Sequence, residues 1–153
     1  MSSKKVLILY DSRRGNTRKM AKAISEAMSS SAVDVKVEDV EKCDVSLLPN
    51  YDSIVLGSPT YFSNMAWQVK KVIDESIVHY RGRKLKGKSA GIFTSAGSIS
   101  NGKDCLKMLQ VALEFHHGMK VVEGIVRVDG ESDEEVERRC REYGKKLVKE
   151  IGG

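Results

Sequence analysis

Proline, cysteine and aromatic residues are all scarce: the 153 residues hold 2 prolines, 3 cysteines and only 6% Phe, Trp and Tyr. Cys43, Cys105 and Cys140 lie far apart and are odd in number, which excludes a disulfide framework, a C-x-x-C pair and any recognisable cysteine nucleophile. They read as structural thiols, with Cys105 and Cys140 on helix positions expected to be buried. No run approaches the roughly 18 apolar residues of a membrane helix. The short apolar run Val6 to Tyr10 is too brief for a signal peptide and charge follows it. A cytoplasmic protein without membrane insertion is therefore expected. Linkers, repeats and low-complexity segments are also missing, so residues 1–153 are read as one domain. The charge balance is basic, at +5, yet Lys and Arg are scattered and no aromatic-rich RNA motif accompanies them. Nucleic acid is not an expected partner, and no metal site is expected.

What is present is alternation. Lys5 to Tyr10 (KVLILY) is a continuous apolar run suited to a strand buried on both faces. Thr17 to Ser29 then carries Met20, Ala21, Ile24, Ala27 and Met28 at helical spacing. Val33 to Val40 alternates valine with charge, as a half-buried edge strand does, and Ser53 to Gly57 is again a buried strand. A helix is predicted from Ala66 to Ile77, ending near Gly82, with Trp67 read as core and His79 as a surface residue. A strand follows at Lys88 to Thr94, then a helix through Leu106 to Leu113 capped by Gly118. Met119 to Val128 is read as one fifth strand. Ser132 and Glu135 form a capping box for a last helix with Val136, Cys140, Tyr143, Leu147 and Ile151 on one stripe. Five strands alternating with helices imply a parallel sheet covered on both faces, with order 2-1-3-4-5. Ligands in such sheets sit at the carboxyl ends of the strands.

Gly82 to Ser89, GRKLKGKS, matches the phosphate-loop pattern G-x-x-x-x-G-K-[ST] letter for letter. That loop needs a strand before it and a helix after it, whereas this segment leads into a strand, at the amino edge of the sheet. The match is read as chance.

The carboxyl-end loops carry the chemistry. Ser12 to Lys19 (SRRGNTRK) joins a buried strand to a helix start, where free N–H groups and the helix dipole favour an anion. Ser12, Asn16 and Thr17 offer polar side chains, Gly15 permits the turn, and Arg13 and Arg14 add positive charge. The second loop runs from Gly57 to Lys70 and puts Tyr61 and Phe62, stiffened by Pro59, where an aromatic would meet a planar ligand. The third, Thr94 to Asp104, is rich in small polar residues suited to the edge of a polar ring. Phosphate, planar ring and ring edge read together as FMN rather than ATP.

These motifs resemble the flavodoxin-like superfamily over essentially the whole chain. SRRGNT is similar to the flavodoxin phosphate loop [ST]-x-T-G-N-T, with Arg14 replacing the usual hydroxyl residue. GSPTYFSNMAWQVK, FTSAGS and HHGM (His116 to Met119) resemble the WrbA-type NAD(P)H:quinone oxidoreductases, with their GxPTxFGNM and HHGM. The resemblance implies a flavodoxin-like three-layer α/β sandwich. Ser12, Arg13, Arg14, Gly15, Asn16 and Thr17 would hold the FMN phosphate. Pro59, Thr60, Tyr61, Phe62 and Asn64 would meet the isoalloxazine, and Thr94, Ser95, Ala96, Gly97 and Ser98 its pyrimidine side. His117 would approach the flavin, in a homo-oligomer across a subunit interface. The implied function is electron transfer with a redox partner protein; the alternative is NAD(P)H-dependent reduction of a quinone or flavin. The chain lacks the inserts that build the quinone pocket of the longer WrbA-type enzymes. It also lacks the acidic character of flavodoxins, with no carboxylate in the third loop before Asp104, so its flavin should be easier to reduce than theirs.

Overall fold

The structure is a computed structural model and describes residues 3–152. Strand β1 (Lys4–Tyr10) lies in the middle of a parallel sheet, flanked by β2 (Val33–Asp39) and β3 (Ser53–Tyr61). Helix α1 (Asn16–Ser29) makes the first crossover. After β3 the chain turns back in a two-residue strand, β4 (Asn64–Met65), and continues into α2 (Trp67–Glu75) and a single turn, α3 (Ile77–Tyr80). Strand β5 (Ser89–Ala96) pairs with β3, and α4 (Ile99–Gln110) follows it. The fifth position of the sheet is filled by β6 (Lys120–Val121) and β7 (Ile125–Val128), before the long α5 (Asp133–Gly152). The order β2-β1-β3-β5-β6/β7 is the expected 2-1-3-4-5 when β4 is set aside and the last two strands count as one.

Alternation along β1 explains the layers. Val6 and Ile8 face α1 and α5, meeting Met20, Ile24, Met28, Tyr143 and Leu147. Leu7 and Leu9 face the other side, with Val69 and Val72 of α2 and Leu109 of α4. All four β1 residues are at most 2% exposed, as strands covered on both faces require.

The predicted single fifth strand is a bulged pair. Ala90 pairs with Val121 but Phe93 with Ile125, so two residues of β5 face three of the partner, Val122 to Gly124. The Tyr143 hydroxyl fills the gap, accepting from Ile92 N–H at 3.0 Å and donating to Val122 O at 2.9 Å. Burial pushes this phenol well above its ordinary range, so it stays protonated and able to donate.

Other expectations change where side chains bond locally. The predicted helix from Ala66 breaks at Ser76, whose hydroxyl donates to Ile73 O at 2.5 Å. His79 is buried rather than on the surface, because its Nε2–H donates to Val45 O at 2.7 Å. Trp67 is 68% exposed and not core, since it stands on the outer face of the first turn of α2. Helix α4 starts seven residues before Leu106, because Ser98 caps it by accepting from Asn101 N–H at 3.2 Å. A π-helical turn, Val111–His116, then ends on Gly118 in the left-handed conformation, with Met119 N–H reaching Leu113 O. The start of α5 is as predicted, Glu135 N–H donating to Ser132 Oγ at 3.3 Å.

GRKLKGKS sits in the turns before β5, with Lys88 Nζ donating to Pro49 O and Tyr51 O at 3.0 and 2.6 Å. Its lysine braces a neighbouring loop. No helix among the described residues is long and apolar enough to cross a membrane.

Two glycines separate packing from motif. A Cβ at Gly57 would lie 2.2 Å from the Phe93 ring, whereas one at Gly82 meets only the flexible Lys84 side chain at 3.4 Å. Gly57→Ala is expected to cost about 1–3 kcal/mol by overpacking. Gly82→Ala should stay within about 0.5 kcal/mol and leave ligand binding unchanged; urea denaturation of the two variants checks this.

Candidate functional site

The loop between β1 and α1 is shaped by its own side chains. Ser12 Oγ accepts from the N–H of Gly15 at 3.1 Å and of Arg18 at 3.3 Å, curling the chain onto the helix start. Gly15 holds φ +95°, a conformation that only glycine adopts without strain, and a Cβ there would meet nothing within 4 Å. Lys19 N–H bonds to Gly15 O, so the N–H groups of Asn16 and Thr17 are left without a protein acceptor among the described residues. No acidic residue occupies the first turn of α1. An anion is the partner this end of the helix lacks.

Beneath the loop, Thr17 is 1% exposed and its Oγ1 lies 2.9 Å from Ser95 Oγ, tying the first loop to the end of β5. Asp11, 3% exposed, ties it to β3 through its backbone N–H on Gly57 O. Burial raises the Asp11 carboxyl above the usual carboxylate range; Arg13, with Nε 3.5 Å away, opposes that rise, while Asp39 and Glu41 add to it.

The second loop is a locked hairpin. Ser58 Oγ donates to Pro59 O at 2.7 Å and accepts from Ala66 N–H at 2.9 Å. Thr94 Oγ1 donates to Ser58 O at 2.6 Å, which leaves the Thr60 hydroxyl to donate to Thr94 Oγ1 at 2.6 Å. The turn residues Phe62 and Ser63 both have positive φ, 50° and 64°, the two-residue geometry that matches strand twist and that Asn-Gly usually supplies. Phe62 is fully exposed and Tyr61 half-exposed. Ser63 Oγ donates to Asn101 Oδ1 at 3.0 Å, joining the hairpin to the first turn of α4.

Between these loops lies an open cleft at the carboxyl ends of β1, β3 and β5. Of the residues expected at the site, Arg13, Arg14, Asn16, Thr17, Pro59, Thr60, Tyr61, Ser95, Ala96 and Gly97 line it. Ser12 and Gly15 shape its floor from behind, and Thr94 is wholly buried under Thr60. Asn64 spends its carbonyl on Met65 N–H, Ser98 caps α4, and Phe62 points into solvent. Asp129, which sequence reasoning missed, also lines the cleft from the end of β7. Its position just past the fifth strand was the available signal.

His117 is not brought to this cleft within one chain. It lies at the amino end of the sheet, 7% exposed, where Gly118 O accepts from Gly87 N–H in the turn before β5. Because the Ser76 hydroxyl donates to Ile73 O, His117 Nε2–H must donate to Ser76 Oγ, at 2.8 Å. His116 is exposed beside it.

The donor set fits FMN. Unpaired N–H groups and arginines suit the phosphate, and a wall of Thr60, Tyr61, Ala96 and Gly97 with few bulky side chains suits a flat ring. A parallel sheet with such a cleft at its switch point defines a doubly wound α/β mononucleotide-binding protein.

The sequence pattern of the flavodoxin domain matches residues 7–114, and the chain belongs to the flavodoxin family. It is 35% identical over 121 residues to the flavodoxin of Clostridium saccharobutylicum, covering 78% of this chain and 73% of that one. It is 30% identical over 138 residues to NAD(P)H dehydrogenase (quinone) 3 of Rhizobium meliloti, covering 77% of this chain and 65% of that one. Among solved structures, oxidised flavodoxin 1 from Bacillus cereus superimposes with a TM-score of 0.82 at 26% identity, over 95% of this chain and 97% of that one. Proteins of this family bind FMN and carry electrons to redox partners.

The buried His117 makes stability pH-dependent. Burial, then the nearby His79 and His116, depress its pKa below the ordinary 6.5. The unfolded chain therefore takes up a proton near pH 6.5 that the folded chain refuses. The contribution is complete above that pH and is lost as pH falls toward the folded pKa. Thermal melts from about pH 7.5 to 5 should show falling stability, with a flatter profile in His117→Gln, whose amide can still donate to Ser76.

Proposed function

We propose that this chain holds FMN in the cleft between the β1, β3 and β5 loops and carries electrons between partner proteins. The observation that carries the reading is the start of α1. Asn16 and Thr17 offer two N–H groups with no protein acceptor, with no acidic residue in the turn, facing a cleft that continues between Tyr61 and Ala96–Gly97. Bound there, FMN supplies one- and two-electron redox chemistry that no side chain provides.

The chain's own residues bind and orient. The helix start and Arg13 or Arg14 neutralise the phosphate charge. Thr17 and Ser95 hold the phosphate loop against the end of β5, and the Thr60–Thr94–Ser58 chain of hydrogen bonds fixes the hairpin that forms the opposite wall. Arg13 and Arg14 share the lining with one carboxylate, Asp129, and Arg13 also lies 3.5 Å from the carboxylate of Asp11. The free thiols at Cys43, Cys105 and Cys140 support a reducing, cytoplasmic setting.

A second reading, an NAD(P)H-dependent quinone reductase, is favoured by the likeness to the Rhizobium meliloti protein named for that activity. Against it, the His116–His117 pair lies at the opposite end of the same chain from the cleft. An electron carrier is the better fit to one chain, and a homo-oligomer that brings the pair to a neighbour's cleft would favour the enzyme.

Flavin absorbance should persist when the protein is incubated with FMN and desalted, and Arg14→Ala should weaken FMN binding by about tenfold, the worth of one charge-assisted contact. A colourless desalted protein would remove the reading. The reduction potential, followed by spectroelectrochemical titration, should be less negative than that of an acidic flavodoxin. Steady-state NAD(P)H oxidation with a quinone acceptor should be slow; fast turnover would select the enzyme.

A further inference from the structure

The turn that carries GRKLKGKS presents a cationic surface that the fold itself does not use. No Asp or Glu stands between Glu75 and Asp104, and Arg81, Arg83, Lys84, Lys86 and Lys88 lie close together in that stretch. Lys88 is spent on the carbonyls of a neighbouring loop. The other four are exposed, and their side chains make no hydrogen bond or ion pair among the described residues.

Backbone bonds hold the turn tightly. Arg83 N–H donates to Tyr80 O, Lys84 N–H to His79 O and Lys86 N–H to Arg83 O. Arg83 has φ 49°, which a residue other than glycine keeps only where its surroundings enforce it. Its guanidinium and the stem of Lys86 lie over Gly118, where a Cβ would meet Nη2 at 3.6 Å and Cγ at 3.2 Å. The cations are thus gathered against the end of the π-helical turn.

Apolar side chains border them. Ile77 and Val78, on α3 just before the turn, are each about two-thirds exposed, and so is Phe115 on the π-helical turn. Tyr80 links the two segments, its ring edge-on to His116 with centroids 6.3 Å apart. The recess beside Ile77 and Tyr80 shares no lining residue with the FMN cleft. The nearby carboxylates are already engaged, Asp74 by Lys70 and Glu114 by Gln110. An exposed apolar patch marks an interaction surface, and the free cations beside it set the sign of what it meets.

An acidic protein would match such cations with carboxylates at fixed places, yet none of the four is oriented by a bond to its own chain. Long, unfixed cations beside exposed aliphatic side chains suit a surface whose charge is spread out and whose interior is apolar. We propose that this surface binds an anionic lipid bilayer without spanning it. Arg81, Arg83, Lys84 and Lys86 lie among the headgroups, and Ile77 and Val78 reach the headgroup–acyl boundary. Docking at the amino end of the sheet leaves the cleft at its carboxyl end open to water and to a redox partner.

Sedimentation with lipid vesicles tests this on the full chain, with and without FMN. Vesicles of equimolar phosphatidylcholine and phosphatidylserine should carry the protein down, and phosphatidylcholine alone should not. Binding should fall steeply between about 0.05 and 0.5 M salt. Lys84→Gln with Lys86→Gln should weaken it about fivefold for each charge removed. The same change at Lys145 and Lys146, exposed and unpaired on α5, should leave it nearly unchanged. Ile77→Ala with Val78→Ala should weaken it about tenfold, the worth of a few methylenes leaving water. All six positions are exposed, so the fold is kept. The proposal is overturned if the mixed vesicles do not bind the parent or neutral vesicles bind it equally. It is also overturned if the α5 pair matters as much as Lys84 and Lys86, or if the Ile77 and Val78 variant binds like the parent. Binding of polyglutamate without binding of vesicles would overturn it in favour of an acidic protein partner.

Discussion

Everything at the carboxyl edge depends on the divergence of the chain after β1 and β3. Both strands are buried on both faces, so neither can carry a polar site along its length. The crossover after β1 sends α1 to the face shared with α5, while the one after β3 sends α2 to the face shared with α4. The loops part at that point and leave a gap at the carboxyl ends of the strands. The cleft is therefore a consequence of how the two apolar faces are covered, before any residue in it is chosen.

Short hydroxyl side chains then make the gap rigid. Thr17 with Ser95, and Thr60 with Thr94 and Ser58, cross-link loops that are far apart in sequence. Each hydroxyl is buried or nearly so and each finds a partner, so the polar groups cost little while fixing the walls. A flat cofactor entering such walls loses less to loop ordering than one entering mobile loops. The strained Phe62–Ser63 turn is held by the same means, through Ser63 on Asn101.

The parts of this fold that were legible in sequence are those governed by period. The runs KVLILY and SIVLG and the stripes at Met20–Ile24 and Tyr143–Leu147 report burial, and burial fixed the layers. What stayed hidden depended on single hydrogen bonds between distant residues. His79 is buried because Val45 O accepts its proton, 34 positions away in sequence. The fifth strand is bulged because the Tyr143 hydroxyl replaces a ladder bond, and no pattern in Met119 to Val128 announces it. The cleft was legible where backbone chemistry dominates, at Gly15 and the start of α1. It was not legible at Asp129, which enters only because the last strand ends beside Gly97.

Charge is the property that composition described least well. A net +5 suggests a uniformly basic surface, yet α5 spends Arg138, Arg139 and Arg141 on Glu131, Glu135, Glu137 and Glu142. Lys70 and Lys71 are likewise matched within α2 by Asp74 and Glu75. These cations are thus matched by nearby carboxylates, most of them one helical turn away, at little gain in stability because most of the pairs are exposed, and the net charge of +5 rests on the lysines and arginines that remain unpaired. The local sign at any one place is then set by the charges that stay unpaired there. At the phosphate loop the surplus is Arg14, beside an Arg13 only loosely paired with Asp11. The sign at the phosphate loop is therefore set by its two arginines and not by the net charge of the chain, and electrostatic attraction draws a phosphate there.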